Sequence, residues 1–280
     1  MIFSRLNPFR KSPPLVPVIR LSGMIMASSG FRRSLSMASM APLIDKAFSL
    51  RRARAVALLI NSPGGSPVQS ALIYDRIRYL SRQKNIPVLS FVEDVAASGG
   101  YWLACAGDEI HVNPASVVGS IGVVSAGFGF DEAIGRLGVS RRVYTSGERK
   151  VMLDPFSPEE PEDVAHLKAL QADIHDQFIA MVKHRRGSRL KAEDGLLFSG
   201  AFWTGRKAIE LGLADQSGEV RQVLEDRFGK SVELRLIQRP RSMFGLSSGA
   251  GGISASIAGA GADTLIETAI ERLERSRFGL

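Results

Sequence analysis

The chain has 280 residues, 45% apolar and 23% charged, with 36 Lys and Arg against 28 Asp and Glu. That length suits one large α/β domain or two smaller ones. The near-average composition excludes wholesale disorder, collagen and coiled coil. A single cysteine, Cys105, excludes an intrachain disulfide and argues against a cysteine metal site. The net charge of +8 is unevenly placed. Residues 1–54 hold ten basic side chains and one acid, Asp45, a net +9, while the rest hold 26 basic and 27 acidic groups, a net −1. An enzyme that works on nucleic acid spreads a basic stripe over its working face. A basic arm on a neutral body is a different pattern, and no nucleic-acid partner is expected.

Met1–Lys11 mixes Ile2, Phe3, Leu6 and Phe9 with Arg5, Arg10 and Lys11. It lacks the unbroken apolar core of a secretory signal. The uncharged stretches Ile110–Phe130 and Ser242–Ala262 are rich in Gly and Ser. Neither resembles the ~20 strongly apolar residues of a spanning helix. The expectation is a soluble chain whose basic arm, residues 1–14, is a candidate surface contact.

In chain order, Leu15–Leu21 reads as a first strand and Pro42–Arg54 as a helix with Leu43, Ile44, Ala47 and Phe48 on one face. Ala55–Ile60 is a continuous apolar run, the pattern of a strand buried on both faces. It ends in the breaker cluster Asn61-Ser62-Pro63-Gly64-Gly65. A helix follows, with Ser66 as cap, Pro67 first and Gln69 closing a capping box, and with Ile73, Ile77 and Leu80 inward. Pro87–Val92 is the next buried strand, and Ser98-Gly99-Gly100 opens a short apolar helix to about Ala106. Glu109–Val112, Gly119–Val124 and Arg141–Thr145 read as strands, and Asp131–Leu137 as a helix closed by Gly138. Ser157, Pro158 and Glu160 start a long helix to about Lys183. Arg239–Ala262 reads as a flexible linker, before an amphipathic helix from about Asp263 to Arg275. Alternating strands and helices imply crossovers and a mainly parallel sheet. The expected division is an arm at 1–14, one α/β domain at 15–238, and a linker with a C-terminal helical extension at 239–280.

His166, His175 and His184 are nine residues apart on the long helix, which is no zinc-ligand spacing. They read as surface or interface histidines, His111 as a structural residue in a strand, and no metal or other cofactor is expected. Ser98 sits where a buried strand turns into a helix, with glycines that let a substrate approach the backbone. It is either a nucleophile or an N-cap serine. Gly64 and Gly65 end the preceding buried strand at the carboxyl edge of the sheet. They supply either oxyanion donors or a tight turn. A hydroxyl nucleophile needs a base. Lys150 in Ser146-Gly147-Glu148-Arg149-Lys150 is the better candidate, against the alternative of a solvated surface lysine. A free lysine titrates near ~10.4 and serves as a base at neutral pH only when desolvation or a nearby cation such as Arg149 lowers that value.

These motifs occur in one order: Asn61-Ser62-Pro63-Gly64-Gly65, Ala96-Ala97-Ser98-Gly99-Gly100-Tyr101-Trp102, Gly119-Ser120-Ile121-Gly122-Val123, the loop ending at Lys150, and Trp203-Thr204-Gly205-Arg206-Lys207-Ala208 before Glu210-Leu211-Gly212-Leu213-Ala214-Asp215. In that order, over about residues 15–220, the chain resembles the signal peptide peptidase A type serine peptidases of the Clp/crotonase superfamily. The resemblance implies a Clp/crotonase-like α/β fold and a Ser–Lys dyad of Ser98 as nucleophile and Lys150 as general base. It implies Gly65 and Gly99 as oxyanion donors beside Gly64, Ser120 as the hydroxyl that orients the lysine, and an apolar pocket lined by Ile121 and Val123. Short members of the family draw Ser and Lys from neighbouring protomers of a ring, so Ser98 and Lys150 are expected to meet between copies. The substrate class implied is unfolded or apolar polypeptide, such as signal-peptide remnants. Family members commonly carry an N-terminal membrane anchor, which is not seen in this sequence. A cytoplasmic chain with its basic arm against the anionic inner face of a membrane is the expectation in its place. Three alternatives stay open. One is a crotonase-fold acyl-CoA hydratase or hydrolase, another a Clp-type Ser-His-Asp site, and the third a non-catalytic membrane-associated scaffold.

Overall fold

The structure, a computed structural model, describes residues 12–27, 34–147 and 149–238. The expected linker and helix of 239–280 and most of the basic arm lie outside the described residues.

The chain runs β1 (Leu15–Ser22), α1 (Met37–Ser49), β2 (Val56–Ser62), α2 (Pro67–Lys84), β3 (Val88–Ala97), α3 (Gly99–Ala104), β4 (Glu109–Val112) and β5 (Val117–Gly119). After β5 come α4 (Asp131–Arg136), α5 (Pro161–Arg186) and α6 (Asp194–Leu197). The last elements are β6 (Phe202–Thr204), α7 (Gly205–Glu210), β7 (Gln216–Ser217), α8 (Val220–Phe228) and β8 (Glu233–Leu236). The strands join in one sheet of order β6-β5-β3-β2-β1-β8, with β4 on β3 and β7 on β4. Every strand pair is parallel except β5 with β6. The fold is α/β with a mainly parallel sheet, as the alternating pattern implies.

The continuous apolar runs are buried from both sides. Ile19, Leu21, Val56, Leu58, Ile60, Val88 and Val92 face the core with α1, α2, α3 and α5. Val16, Val18, Ala55, Ala57, Leu89 and Phe91 face the other way, under Leu224 of α8 and Val232. Strand alternation sends neighbours to opposite faces, so a strand between two layers needs apolar residues at every position. β3 changes partner along its length. Leu89–Val92 pair with β4 and Val95–Ala97 with β5, past a register shift against β2. This fork opens the sheet at the carboxyl end of β3, where Ser98 follows.

Several boundaries differ from the sequence reading. The first helix begins at Met37, not Pro42, because Ser36 and Ser39 form a reciprocal capping box upstream. Pro42 sits on an exposed face inside the helix, where water meets the carbonyl that its missing N–H leaves unpaired. The box expected at Ser66 and Gln69 is only half made. Ser66 Oγ accepts the Gln69 N–H at 3.4 Å, but Gln69 Oε1 accepts the Met37 N–H at 2.8 Å and caps α1 instead. The long helix starts at Pro161, with Glu160 as its N-cap, because proline is at home in a first turn and not beyond it. The strand expected at Gly119–Val124 is Val117–Gly119, ended by φ of +120° at Gly119 and 53° at Ser120. Arg141–Thr145 is no strand: all five residues are exposed, and among the described residues no strand forms a ladder with them. Residues 187–238, to which the periodicity assigns no elements, hold α6 to β8.

A buried ion cluster ties the end of α5 to the sheet. Arg186 forms a bidentate pair with Asp215 (2.8 and 3.0 Å) and donates to the Gly212 carbonyl at 2.8 Å. Arg185 reaches the Cys105 and Gly107 carbonyls and Asp108, which also accepts from Arg78 at 2.7 Å. Burial alone would raise the Asp215 carboxyl; the hydrogen bond and charge of Arg186, the Ile110 N–H and Arg189 outweigh it and hold it low. A carboxyl whose folded value is depressed contributes stability above its unfolded value, and that stability is lost as pH falls through the folded value. Arg186→Leu leaves the half-buried Asp215 with the Ile110 N–H and the longer Arg189 contact but without its main partner, so urea denaturation at neutral pH should show a loss toward the low end of about 3–5 kcal/mol. The acid limb of the wild-type stability profile should flatten in Asp215→Asn. A neutral result for Arg186→Leu would show that the pair carries no such weight.

Candidate active site

Ser98 has φ 51° and ψ −123°, a strained conformation for a residue with a side chain, of the kind that costs about 1–3 kcal/mol and clusters at functional sites. The backbone around it enforces the turn. Its N–H donates to the Gly119 carbonyl at 2.8 Å, and its own carbonyl accepts from Tyr101 and Trp102 at 2.9 and 3.1 Å. α3 is fixed in turn by two aromatics. Tyr101 is fully buried and donates to the Leu213 carbonyl at 2.8 Å, and Trp102 stacks on Phe178 of α5 at 4.7 Å. The Ser98 side chain makes no capping bond to α3. The N-cap alternative therefore does not explain this serine, whose Oγ opens onto a cavity.

Gly64 and Gly65 run alongside. A Cβ on Gly64 (φ +112°) would lie 2.8 Å from Ser98 Cβ and 2.9 Å from the Gly99 nitrogen, so only glycine lets the two turns approach this closely. Ile25 bridges the turn: its N–H donates to the Gly64 carbonyl at 2.8 Å and its carbonyl accepts the Ser66 N–H at 2.7 Å. That pairing turns the Gly65 N–H away from Ile25. The Gly64 N–H is taken by Ser62 Oγ at 3.3 Å. The N–H groups of Gly65 and Gly99 have no partner among the described residues. Of the two turn glycines, Gly65 is the one with a donor to offer.

The cavity beside these groups has a volume of ≈ 630 Å³ and is lined by Ser98, Gly65, Ser120, Val123 and Val124, with Met24, Pro63 and His175. Ser120 is anchored by its N–H on the Ala201 carbonyl at 2.7 Å. Ile121 departs from the expected role. Its side chain is 0% exposed and packs in the core, so the apolar wall is Val123 with Val124. The segment turns through Ser120 and carries Ile121 inward before Val123 reaches the cavity.

Lys150 does not line this cavity. It lies on an excursion, residues 122–160, in which no described residue is buried. The excursion presents Phe128, Leu137 and Tyr144, which are 81%, 77% and 90% exposed. Arg149, expected as a cation near Lys150, pairs with Glu162 at 3.3 Å.

His175 is the residue that the sequence reading misplaced. His166 and His184 are exposed, but His175 lines the cavity, with Nε2 3.0 Å from the Ile121 carbonyl oxygen. The signal was present: His175 shares a helix face with Phe178 and Val182, three and seven residues on. His111 is fully buried, stacked on Phe91 at 4.7 Å, and is not a cavity residue. Burial holds its imidazole below the ordinary value, against the opposing charge of Glu109. Among the described residues no His, Cys, Asp and Glu group could hold a metal ion.

Fold and site together define a class: a mainly parallel α/β sheet with a half-buried, strained serine that lines a cavity at a strand-to-helix turn beside unpaired backbone donors. Known proteins sharpen it. Residues 81–232 match peptidase family S49 and residues 25–116 match the Clp protease family. The chain belongs to peptidase family S49. It is 32% identical to the putative protease slr0021 of Synechocystis, over 84% of each chain. It is 30% identical to a putative signal peptide peptidase SppA of Enterococcus faecium, over 61% of this chain and 49% of that one. It is also 50% identical, over its whole length, to a Brucella abortus protein named Na(+)/H(+) antiporter NhaA, of which it spans 39%. Among the described residues no helix is long and apolar enough to cross a membrane. The solved structure of the 1510-N membrane-bound stomatin-specific protease superposes with a TM-score of 0.51 at 16% identity, over 82% of this chain and 100% of that one, and shares the fold.

Proposed function

We propose that this chain is a serine endopeptidase with a Ser98–Lys150 dyad, acting on unfolded or apolar polypeptide segments such as signal-peptide remnants. One observation carries the reading: the cavity holds a strained, uncapped serine and the unpaired N–H of Gly65 but no lysine, while Lys150 rides on an excursion in which no described residue is buried as a whole. A neighbouring copy of the chain supplies the base, which makes the active form a homo-oligomer, in keeping with a ring.

In the proposed reaction, neutral Lys150 Nζ takes the Ser98 hydroxyl proton as Oγ attacks the peptide carbonyl carbon. The carbonyl oxygen becomes an oxyanion and accepts the N–H groups of Gly65 and Gly99. Collapse breaks the C–N bond, and the protonated lysine gives its proton to the departing amine. Water then attacks the acyl-enzyme, again with Lys150 as base, and releases the acid and free Ser98. Ser120 holds the lysine amine by a hydrogen bond.

A fluorophosphonate probe should label Ser98, identified by mass spectrometry. Ser98→Ala should lose both labelling and casein cleavage. A crotonase-type acyl-CoA enzyme would need neither Ser98 nor Lys150, so unlabelled Ser98 with retained cleavage would overturn the reading. A second reading has a specific observation behind it, since His175 is the titratable side chain lining the cavity. If His175→Ala abolishes labelling and Lys150→Ala does not, histidine is the base.

The charge asymmetry supports a second proposal, a cytoplasmic enzyme held at an anionic membrane face by its basic arm. Deleting residues 1–11 should weaken binding to vesicles rich in anionic lipid and spare peptide hydrolysis. Unchanged vesicle binding would remove the tether.

A further inference from the structure

One side chain in the Ser98 cavity has no part in the proposed reaction. His175 Nε2 is 3.0 Å from the Ile121 carbonyl oxygen. A carbonyl oxygen only accepts, so Nε2 carries the hydrogen and donates it. The position of this bond gives it weight. Just upstream the chain is pinned, by Ser120 N–H on the Ala201 carbonyl and by Gly119 packed within 2.8 Å of the Trp203 ring for any added Cβ. Just downstream it leaves the body. From Ile121 to Gly129 the His175 bond is the one hydrogen bond among the described residues. Phe178 and Val182 anchor the same helix face in the core, so the donor is held rigidly. Gly122, Val123 and Val124, the next residues, line the cavity.

We propose that His175 is a positioning residue that fixes the Ile121–Val124 wall and so sets which apolar side chain, next to the scissile bond, the cavity admits. This rests on Ser98 as the nucleophile and adds the element that shapes the substrate pocket. Without the donor, the carbonyl of a buried residue loses its partner. The wall then hangs from the Ile121 side chain alone, and Val123 and Val124 drift.

The test uses the full chain and peptides with Ala, Leu or Phe before the scissile bond. In His175→Leu, KM for the preferred peptide should rise by about tenfold or more with kcat nearly unchanged, and discrimination among the three should narrow. His175→Gln, whose amide can donate from a similar place, should recover most of the wild-type KM and selectivity. A fall in kcat at constant KM would put His175 in the chemistry and overturn the proposal. So would a Gln variant as impaired as the Leu variant, or a Leu variant with wild-type kinetics. If the Leu variant does not fold, His175→Asn takes its place, with an amide too short to reach the carbonyl. Fluorophosphonate labelling separates the two levels. Failure to label wild-type Ser98 refutes the nucleophile, whereas labelled variants with unaltered selectivity refute only the role of His175.

Discussion

Mixing Ser98→Ala chains with Lys150→Ala chains should restore cleavage that neither shows alone. If Ser98 and Lys150 form the proposed dyad, each variant by itself removes a group on which the reaction depends, with an expected loss of about 10⁴-fold or more in kcat. The loss should be of similar size at both positions, since a nucleophile and its base act as a unit. The cavity geometry supports this expectation. The cavity of one chain contains Ser98 but not Lys150, which sits on an excursion whose described residues leave Phe128, Leu137 and Tyr144 open to solvent. In the proposed oligomer a neighbouring copy would cover these side chains. In a mixed assembly some Lys150→Ala cavities receive an intact arm from a Ser98→Ala neighbour. With random exchange about one quarter of the sites are whole, and that fraction of wild-type activity should return. Exchange is verified by native mass spectrometry. No recovery in assemblies shown to be mixed would place both residues in one chain's site, or remove Lys150 from it.

The second large effect belongs to Gly65→Ala. Gly65 has φ +137°, and a Cβ there would collide with the Ile25 carbonyl oxygen. Ile25 holds the turn at both ends, through Gly64 and Ser66, so any shift of Ile25 carries the Gly65 N–H with it. Displacing one oxyanion donor should lower kcat by about 10²–10³-fold, or about 2.7–4 kcal/mol. Strain alone is tested by Gly229→Ala, where φ is +90° and nothing lies within 4 Å of an added Cβ. That variant should lose about 1 kcal/mol of stability and keep its kcat. Comparable kcat in folded Gly65→Ala and wild type would remove Gly65 from the oxyanion site.

Much of the fold was legible in the sequence because its signals are local. Ala55–Ile60 is apolar at every position and Pro87–Val92 at every position but Ser90, the pattern of a strand covered on both faces. Ser66-Pro67 announces a helix start, and Glu109–Val112 forms a strand where its pattern places one. The misreadings share a cause. Gln69 was a good capping partner for Ser66 but is claimed by Met37, and Arg141–Thr145 has β-branched residues but no strand to pair with. In both cases a distant segment decides where a hydrogen-bonding group goes.

The site divides along the same line. The sequence alone determined the chemistry on offer: a serine at a strand-to-helix turn, glycines where only glycine fits, a lysine in a polar loop, and a net charge concentrated in the first 54 residues. These follow from residue type and neighbours in the chain. Tertiary structure decided which groups share a space. It brought Ser98, Gly65 and Ser120 to one cavity, sent Ile121 into the core, moved His175 from supposed surface to cavity wall, and left Lys150 outside. Such placements depend on the fork of β3, the crossing of α5 and the turn at Ser120. Those arise from packing between segments far apart in sequence, where periodicity carries no information.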